Sequence, residues 1–242
     1  MLLVIDVGNT SAHLGLFRGT KLVRSWRVAT GKLGTGYQGP GARTIGRVMV
    51  ASVVPKANKA LRKRFPRARF VNYRDVGIKV KLKKPAEVGI DRLVNALAAA
   101  KLYGVPAIIV DFGTATTFDV INKNGEYLGG AIAPGILLSR DILHERTAKL
   151  PRIELKAPRR VIGKTTVEAL QSGLVLGYVA LVEGLVERIK SKVKSQKSKF
   201  KVIATGGLAR LICKYTKVVD IIDDNLTLKG LLVVGRQLAV NK

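Results

Sequence analysis

The sequence predicts an α/β fold built as a duplicated domain, and three observations predict it. Short apolar strands alternate with helical stretches, the order that arises when helices cover a sheet. A strand–turn–strand–turn–strand pattern occurs twice, with Asp6 and Asp111 in matching places 105 residues apart, the mark of duplication. The chain has 242 residues, 47% of them hydrophobic and 24% charged, which excludes a disordered or fibrous protein and is long enough for a sizeable core without a disulfide staple.

Residues 2–6 read as a short buried strand, Gly8-Asn9-Thr10 as a turn, residues 13–17 as a second strand, Arg18-Gly19-Thr20 as a turn and residues 22–28 as a third strand. Residues 33–43 are Gly-rich and read as a loop. Residues 91–103, rich in Ala and Leu, read as a helix, with Gly104 as its C-cap and Pro106 just beyond. The strand pattern then returns at 107–111, 117–121 and 127–132, with turns at Gly113-Thr114 and Lys123-Asn124-Gly125. From 165 to 192 apolar residues recur at Val167, Leu170, Leu174, Tyr178, Leu181, Leu185 and Ile189, a helical stripe. A helix that long in a small protein is expected to touch a second subunit. Residues 190–201, with six lysines and no acid, read as a solvated connection. Val202-Ile203-Ala204-Thr205-Gly206-Gly207-Leu208 reads as a buried strand ending in paired glycines. The expected domains are 1–105 and 106–235, with a C-terminal helix, 226–240, packing back on the first. Two such halves leave a cleft, a common place for a ligand.

Forty-three Lys and Arg against 16 Asp and Glu give a net charge of +27, so anionic partners are expected. Between Val7 and Arg74 there are fifteen Lys and Arg and no acid, which leaves Asp6 as the only carboxylate before Asp75. Residues 56–84 hold twelve Lys or Arg against Asp75 and no regular set of aromatics. That is a solvated basic surface rather than a base-stacking platform. Met1–Asp6 has no basic run and meets an acid at once, unlike a signal peptide. The longest apolar stretch, 173–186, is interrupted by Glu183 and reads as too short for a bilayer. The one cysteine, Cys213, fits a reducing compartment. A cytoplasmic protein is expected.

Two motifs fail on context. Gly34-Thr35-Gly36-Tyr37-Gln38-Gly39 matches G-x-G-x-x-G, but no strand precedes it and Pro40-Gly41 follows where a helix should begin. Gly163-Lys164-Thr165 looks like the end of a P-loop, but Pro158 occupies the place of its first glycine. The paired Asp-x-Gly turns carry more. Asp at a strand end can hold a cation or its water, and Gly lets the backbone approach a phosphate. Thr10 and Thr114 add hydroxyls. Gly206-Gly207 allow main-chain contact with a ring or phosphate. Gly89-Ile90-Asp91-Arg92 opens a helix: Asp91 is either a first-turn acid or a base for a hydroxyl, and Arg92 offers a fork for a carboxylate. His13 and His144 lie far apart, and no Cys/His cluster has zinc spacing.

Together these motifs resemble the type III pantothenate kinases, of the acetate- and sugar-kinase, heat-shock and actin superfamily. The resemblance rests on Asp6-Val7-Gly8-Asn9-Thr10, Ser25-Trp26-Arg27, Ala51-Ser52-Val53-Val54-Pro55 and Gly89-Ile90-Asp91-Arg92. It continues through Asp111-Phe112-Gly113-Thr114-Ala115-Thr116-Thr117-Phe118-Asp119, Gly129-Gly130-Ala131-Ile132-Ala133-Pro134-Gly135 and Arg146-Thr147-Ala148-Lys149-Leu150-Pro151. Thr166, Gln171-Ser172-Gly173 and Ala204-Thr205-Gly206-Gly207-Leu208 complete it.

The resemblance implies duplicated ribonuclease-H-like (actin-like ATPase) domains with a nucleotide cleft. It also implies ATP-dependent phosphorylation of pantothenate, using ATP with Mg2+ and a monovalent cation, K+ or NH4+, in a homodimer away from membranes. Asp6 would face the magnesium and phosphates, with Val7, Gly8, Asn9, Thr10, Ser11, Ala12 and His13 forming the ATP loop. Asp91 would be the base; Gly89, Ile90 and Arg92 would bind pantothenate with it. Asp111 would hold the monovalent cation, Thr114 would touch ATP, Thr166 would touch pantothenate across the dimer, and Gly206 and Gly207 would face adenosine. Leu82-Lys83-Lys84-Pro85 stands where relatives have Tyr-x-Asn-Pro, and 31–43 is shorter than usual. Two other readings remain open: a kinase of this fold with another hydroxyl acceptor, and a nucleic-acid-binding transcriptional accessory factor. The basic charge by itself implies only non-specific nucleic-acid binding.

Overall fold

A computed structural model describes residues 1–33, 45–193 and 199–240. The Gly-rich stretch 34–44, with its G-x-G-x-x-G, and the lysine-rich 194–198 lie outside the described residues. The first elements in chain order are β1 (Leu2–Val7), β2 (Ser11–Arg18), β3 (Lys21–Ala29), β4 (Arg47–Ser52), α1 (Pro55–Arg64), β5 (Arg69–Phe70) and α2 (Ile90–Tyr103). Next come β6 (Ala107–Phe112), β7 (Ala115–Ile121), β8 (Tyr127–Pro134), α3 (Ile136–Glu145) and α4 (Thr166–Lys192). The chain closes with β9 (Lys201–Thr205), α5 (Ala209–Ile212), β10 (Ile221–Ile222) and α6 (Leu226–Val240). Two compact units divide the chain: Met1–Tyr103 with Asn225–Lys242, and Gly104–Asp224.

Each unit holds one five-stranded sheet of the same design. In the first the order is β3-β2-β1-β4-β5, in the second β8-β7-β6-β9-β10. In both, the first three strands pair antiparallel and the last two add parallel to the central strand. The central strands β1 and β6 share one burial pattern, four buried residues, a half-buried Asp and a buried residue. A strand covered on both faces reads as an apolar run rather than an alternation. The repeated topology and the α/β class are those the sequence predicts.

In the first unit Leu3, Ile5 and Val7 of β1 pack in one cluster with Leu14, Val50, Ala57 and Leu61, the last two from α1. Helix α6 packs against β1, β2, β4 and α2. Gly230 permits the α6–α2 approach, since a Cβ there would stand 2.4 Å from the Val94 carbonyl oxygen. Nearby, the Thr227 hydroxyl donates to buried Asn95 Oδ1 at 2.8 Å, a polar pair that satisfies itself inside the core.

In the second unit α4 covers the sheet. It begins at a side-chain cap in which Thr165 Oγ1 accepts the Glu168 amide at 3.2 Å and Glu168 Oε2 accepts the Lys164 amide at 2.7 Å, in the manner of a capping box. The Gly163-Lys164-Thr165 stretch is therefore a helix start, not the end of a P-loop. The buried face of α4 differs in part from the sequence reading. Leu174 and Tyr178 are buried as expected, but Val175, Val179, Val182 and Val186 complete the face. Leu181, Leu185 and Ile189 are half-buried on its flank and Val167 is exposed. The sequence places leucines and valines on adjoining stripes, and only the sheet selects between them. The helix also corrects the expectation of a segment too short for a bilayer: at 27 residues it is long and apolar enough by length and composition. Its valine face packs with Ile108, Val110 and Val202 of the sheet in one cluster, as in the core helix of a globular protein. Burial pushes the Cys213 thiol up to about 11, so at neutral pH it is protonated and unreactive.

Candidate active site

In the first unit β1 delivers Asp6 to the strand's C-terminal end, opposite His13 of β2 and Ala51 of β4. The chain then turns sharply, with the Gly8 amide donating to the Ser11 carbonyl at 3.1 Å. Thr30, which follows β3, braces this turn: its hydroxyl donates to the Gly8 carbonyl at 2.7 Å and its amide to the Thr10 carbonyl at 3.1 Å. Asn9 and Thr10 are exposed, while Val7, Ala12 and His13 are buried. Val7 and Ala12 can therefore take part only through their main chain. Sequence reasoning missed Thr30, because nothing in a local window links it to a glycine 22 residues away.

In the second unit the equivalent turn is one residue tighter, with the Gly113 amide donating to the Ala115 carbonyl at 3.1 Å. Asp111 is half-buried, and two glycines from distant elements close on its turn. Gly135, at the β8–α3 junction, donates its amide to the Thr114 carbonyl at 3.1 Å. A Cβ on Gly135 would stand 2.2 Å from that oxygen and 2.6 Å from the Gly113 oxygen. Gly206, just past β9, has φ of +93°, and a Cβ there would stand 2.5 Å from Asp111 Oδ1. The parallel register that pairs Asp111 with Thr205 puts it there. Gly207 is exposed, with open space where a Cβ would point. Asp111, Gly113, Thr114 and Gly206 thus form one cluster. Gly135, which ends the 129–135 motif and had no role assigned to it there, belongs to it as well.

The Gly89-Ile90-Asp91-Arg92 motif opens α2. Gly89 leaves room for the Asp91 carboxylate, whose Oδ1 would lie 2.5 Å from a Cβ at that position. Asp91 Oδ1 accepts the Arg92 amide at 2.9 Å, and both side chains are half-exposed. A carboxylate in the first turn of a helix lies where the unpaired amides favour negative charge. The preceding Leu82 is 37% exposed, and Lys84 pairs with Glu87 at 2.9 Å on the surface. Both ends of that ion pair are exposed, so it contributes little.

Thr166 begins α4 and is exposed. It lines an apolar groove of about 330 Å3 with Leu143, Leu150, Ala169, Leu170 and Leu174. Ile142 and Val167, each next in sequence to a residue that lines the groove, are 46 and 42% exposed.

Two residue sets fit the ligands of a phosphoryl-transfer enzyme. Magnesium commonly keeps most of its waters and takes one or two carboxylates plus substrate phosphates. A single half-buried carboxylate beside a turn whose Asn9 and Thr10 are exposed, as at Asp6, suits it. Asp111 stands in a cradle that a side chain on Gly206 would fill, a chemically suitable setting for a monovalent cation.

Residues 2–188 match the family model described as type III pantothenate kinase. A type III pantothenate kinase from Halalkalibacterium halodurans is 43% identical over 255 residues, covering 98% of this chain and 99% of that one. One from Bacillus cytotoxicus is 43% identical over 258 residues, covering 99% and 97%. Among solved structures, the chain is similar to one from Campylobacter jejuni described as a Baf family transcriptional activator, with TM-score 0.68, 20% identity and 98% of each chain covered. It is also similar to the ADPNP-bound activator of 2-hydroxyisocaproyl-CoA dehydratase from Clostridium difficile, with TM-score 0.54, 15% identity and 99% and 96% covered. Those two likenesses concern the fold alone.

Proposed function

The chain belongs to the type III pantothenate kinase family, and from that premise we infer its reaction: ATP-dependent phosphorylation of pantothenate, the first step of coenzyme A synthesis. The observation that carries the reading beyond the family match is the pair of half-buried carboxylates, Asp6 and Asp111, each at the fifth position of the central strand of an equivalent sheet. Phosphoryl transfer asks little covalent chemistry of the protein and much placement of charge. Bound Mg2+-ATP supplies the transferred phosphoryl group, with its negative charge partly neutralised by the metal.

The chain's own residues do the rest. Asp6 and the Gly8–Thr10 turn take the metal and phosphate end of the nucleotide, and Thr30 keeps that turn in shape. Asp111 holds the monovalent cation, and Thr114 and Gly207 contact ATP. Asp91 accepts the proton of the pantothenate primary hydroxyl as the oxygen attacks, and Arg92 holds the substrate carboxylate by its two-pronged guanidinium.

The direct test is product formation from ATP and pantothenate with Mg2+, with and without potassium, for the chain and for Asp111→Ala. The expected result is 4'-phosphopantothenate, potassium activation in the wild type and loss of that activation in Asp111→Ala. ATP consumption with another hydroxyl compound but not with pantothenate would establish a changed acceptor. Full potassium activation in the variant would remove Asp111 from the cation site.

The second subunit is the same chain. The apolar groove beside Thr166 and its exposed rim support pairing through α3 and the start of α4, since an apolar patch of this kind marks an interface. Light scattering at micromolar concentration should give a dimer. A double variant, Ile142→Glu with Val167→Glu, should shift it toward monomer and raise the pantothenate KM; a wild-type monomer with full activity would sink the arrangement.

The reading places the enzyme in the cytoplasm, in keeping with its single thiol. The basic surface is read as solvated and as steering anionic substrates. On α1, Lys56, Lys59, Arg62, Lys63 and Arg64 are exposed, and Arg62 lies 4.0 Å over the Phe70 ring, covering the face a base would stack on. Nucleic-acid binding by this surface would be sequence-independent and salt-sensitive.

A further inference from the structure

Tyr178 lies on α4, 44 residues from Pro134, yet its hydroxyl reaches the main chain beside the Asp111 turn. It donates to the Pro134 carbonyl. A phenol has one proton to give, so the Ser139 hydroxyl, 2.8 Å from the same oxygen, is the donor in the second bond. The tyrosine is 8% exposed and both its donor and acceptor capacities are used. Its hydroxyl therefore ties three elements together: α4, the end of β8 and the first turn of α3.

What lies at that knot matters. Pro134 pairs with Ala115 in the β7–β8 ladder, and proline has no amide with which to strengthen the pairing. The next residue, Gly135, donates to the Thr114 carbonyl and presses on the Gly113 and Thr114 oxygens so closely that no side chain would fit. Any shift of the Pro134–Gly135 peptide is therefore passed to the turn carrying Gly113 and Thr114, next to Asp111. A close-packed junction transmits small displacements rather than absorbing them.

We propose that Tyr178 is a positioning residue for the ATP site: its hydroxyl, through Pro134 and Gly135, holds the Gly113–Thr114 turn in the shape that receives the nucleotide. The proposal rests on the reading of this turn as nucleotide-binding. It assigns α4 a part in the reaction beyond covering the sheet.

Tyr178→Phe removes only the hydroxyl and keeps the ring in the core. Three measurements decide the matter: binding of a non-hydrolysable ATP analogue by calorimetry, hydrogen exchange of the 113–115 amides, and steady-state kinetics with each substrate varied. The expected result is analogue binding weakened roughly tenfold, the scale of one lost hydrogen bond passed to the binding turn. Exchange at 113–115 should be faster, the ATP KM should rise, and the pantothenate KM should stay within about twofold. The melting temperature should fall by no more than about 4 °C, as for one lost hydrogen bond in a chain of this size.

Tyr127→Phe is the control. Tyr127 is fully buried, donates to Asp119 at 2.6 Å and stands at the start of β8, away from Pro134. It should lower the melting temperature without changing analogue binding or exchange at 113–115. Ser139→Ala should reproduce the Tyr178→Phe effect in weaker form. Unchanged analogue binding and exchange in Tyr178→Phe would overturn the proposal. Failure of the wild type to phosphorylate pantothenate would instead overturn the assigned acceptor, leaving the binding and exchange measurements to decide the role of Tyr178.

Discussion

Asp91→Asn is expected to abolish phosphorylation of pantothenate while the protein stays folded and still binds an ATP analogue. Asparagine has nearly the shape of aspartate, and its amide oxygen can still accept the Arg92 amide that Asp91 Oδ1 accepts at 2.9 Å. What it cannot do is take a proton. General-base assistance is typically worth about 10²–10⁴ in rate, so kcat should fall by that order with the ATP KM little changed. The stability cost should be small, about 0.3–1 kcal/mol for a first-turn acid exchanged for a neutral side chain. Turnover within about threefold of wild type would leave Asp91 as a helix-start acid and nothing more.

Gly206→Ala should be among the most damaging single-methyl changes in the second unit. Two costs add. The backbone there has φ of +93°, a region that alanine enters only with strain. The added carbon would also meet Asp111 Oδ1 at 2.5 Å and the Phe112 nitrogen and carbonyl carbon at 2.6 Å. Backbone atoms in a parallel sheet cannot swing aside as the end of a flexible side chain would. Together the costs come to about 2–5 kcal/mol, a fall in melting temperature on the order of 5–15 °C. The methyl would also displace the Asp111 carboxylate, so a monovalent cation held there, as proposed, should no longer activate the variant. Gly207→Ala is the contrast. Its Cβ meets nothing within 4 Å, so stability should barely change, whereas the ATP KM should rise if Gly207 faces the nucleotide. A Gly206→Ala variant as stable as wild type would mean that the turn is far looser than its packing implies.

The two variants also separate what is legible in the sequence from what is not. Asp91 and its neighbours announce themselves within four residues, as do Asp6-Val7-Gly8 and Asp111-Phe112-Gly113, because an apolar strand, a sharp turn and a helix start are each written in a short window. The same local logic makes the duplication readable: β1 and β6 both need four apolar residues before the acid because each is the middle strand of its sheet. The long helix is readable too, over 165–192, from its recurring apolar residues.

Which residues meet around those motifs was not written locally. Thr30 bracing Gly8, Gly135 and Gly206 closing on the Asp111 turn, and Tyr178 reaching Pro134 all depend on strand register and on where a helix docks. No window in the chain contains both partners. The face of α4 makes the point most plainly: the leucine stripe and the valine stripe are both present in its sequence, and the sheet beneath it chose the valines. The duplicated α/β plan, the three strands that open each half, the helices at 91–103 and 165–192 and the family that the motifs resemble are all legible in the chain, whereas β4, α1, β5, α3, α5 and β10 carry no signal strong enough to read. How tightly each Asp-x-Gly turn is held depends on the tertiary structure, because long-range packing and main-chain hydrogen bonds, rather than local conformational preference, fix its carbonyls and its carboxylate.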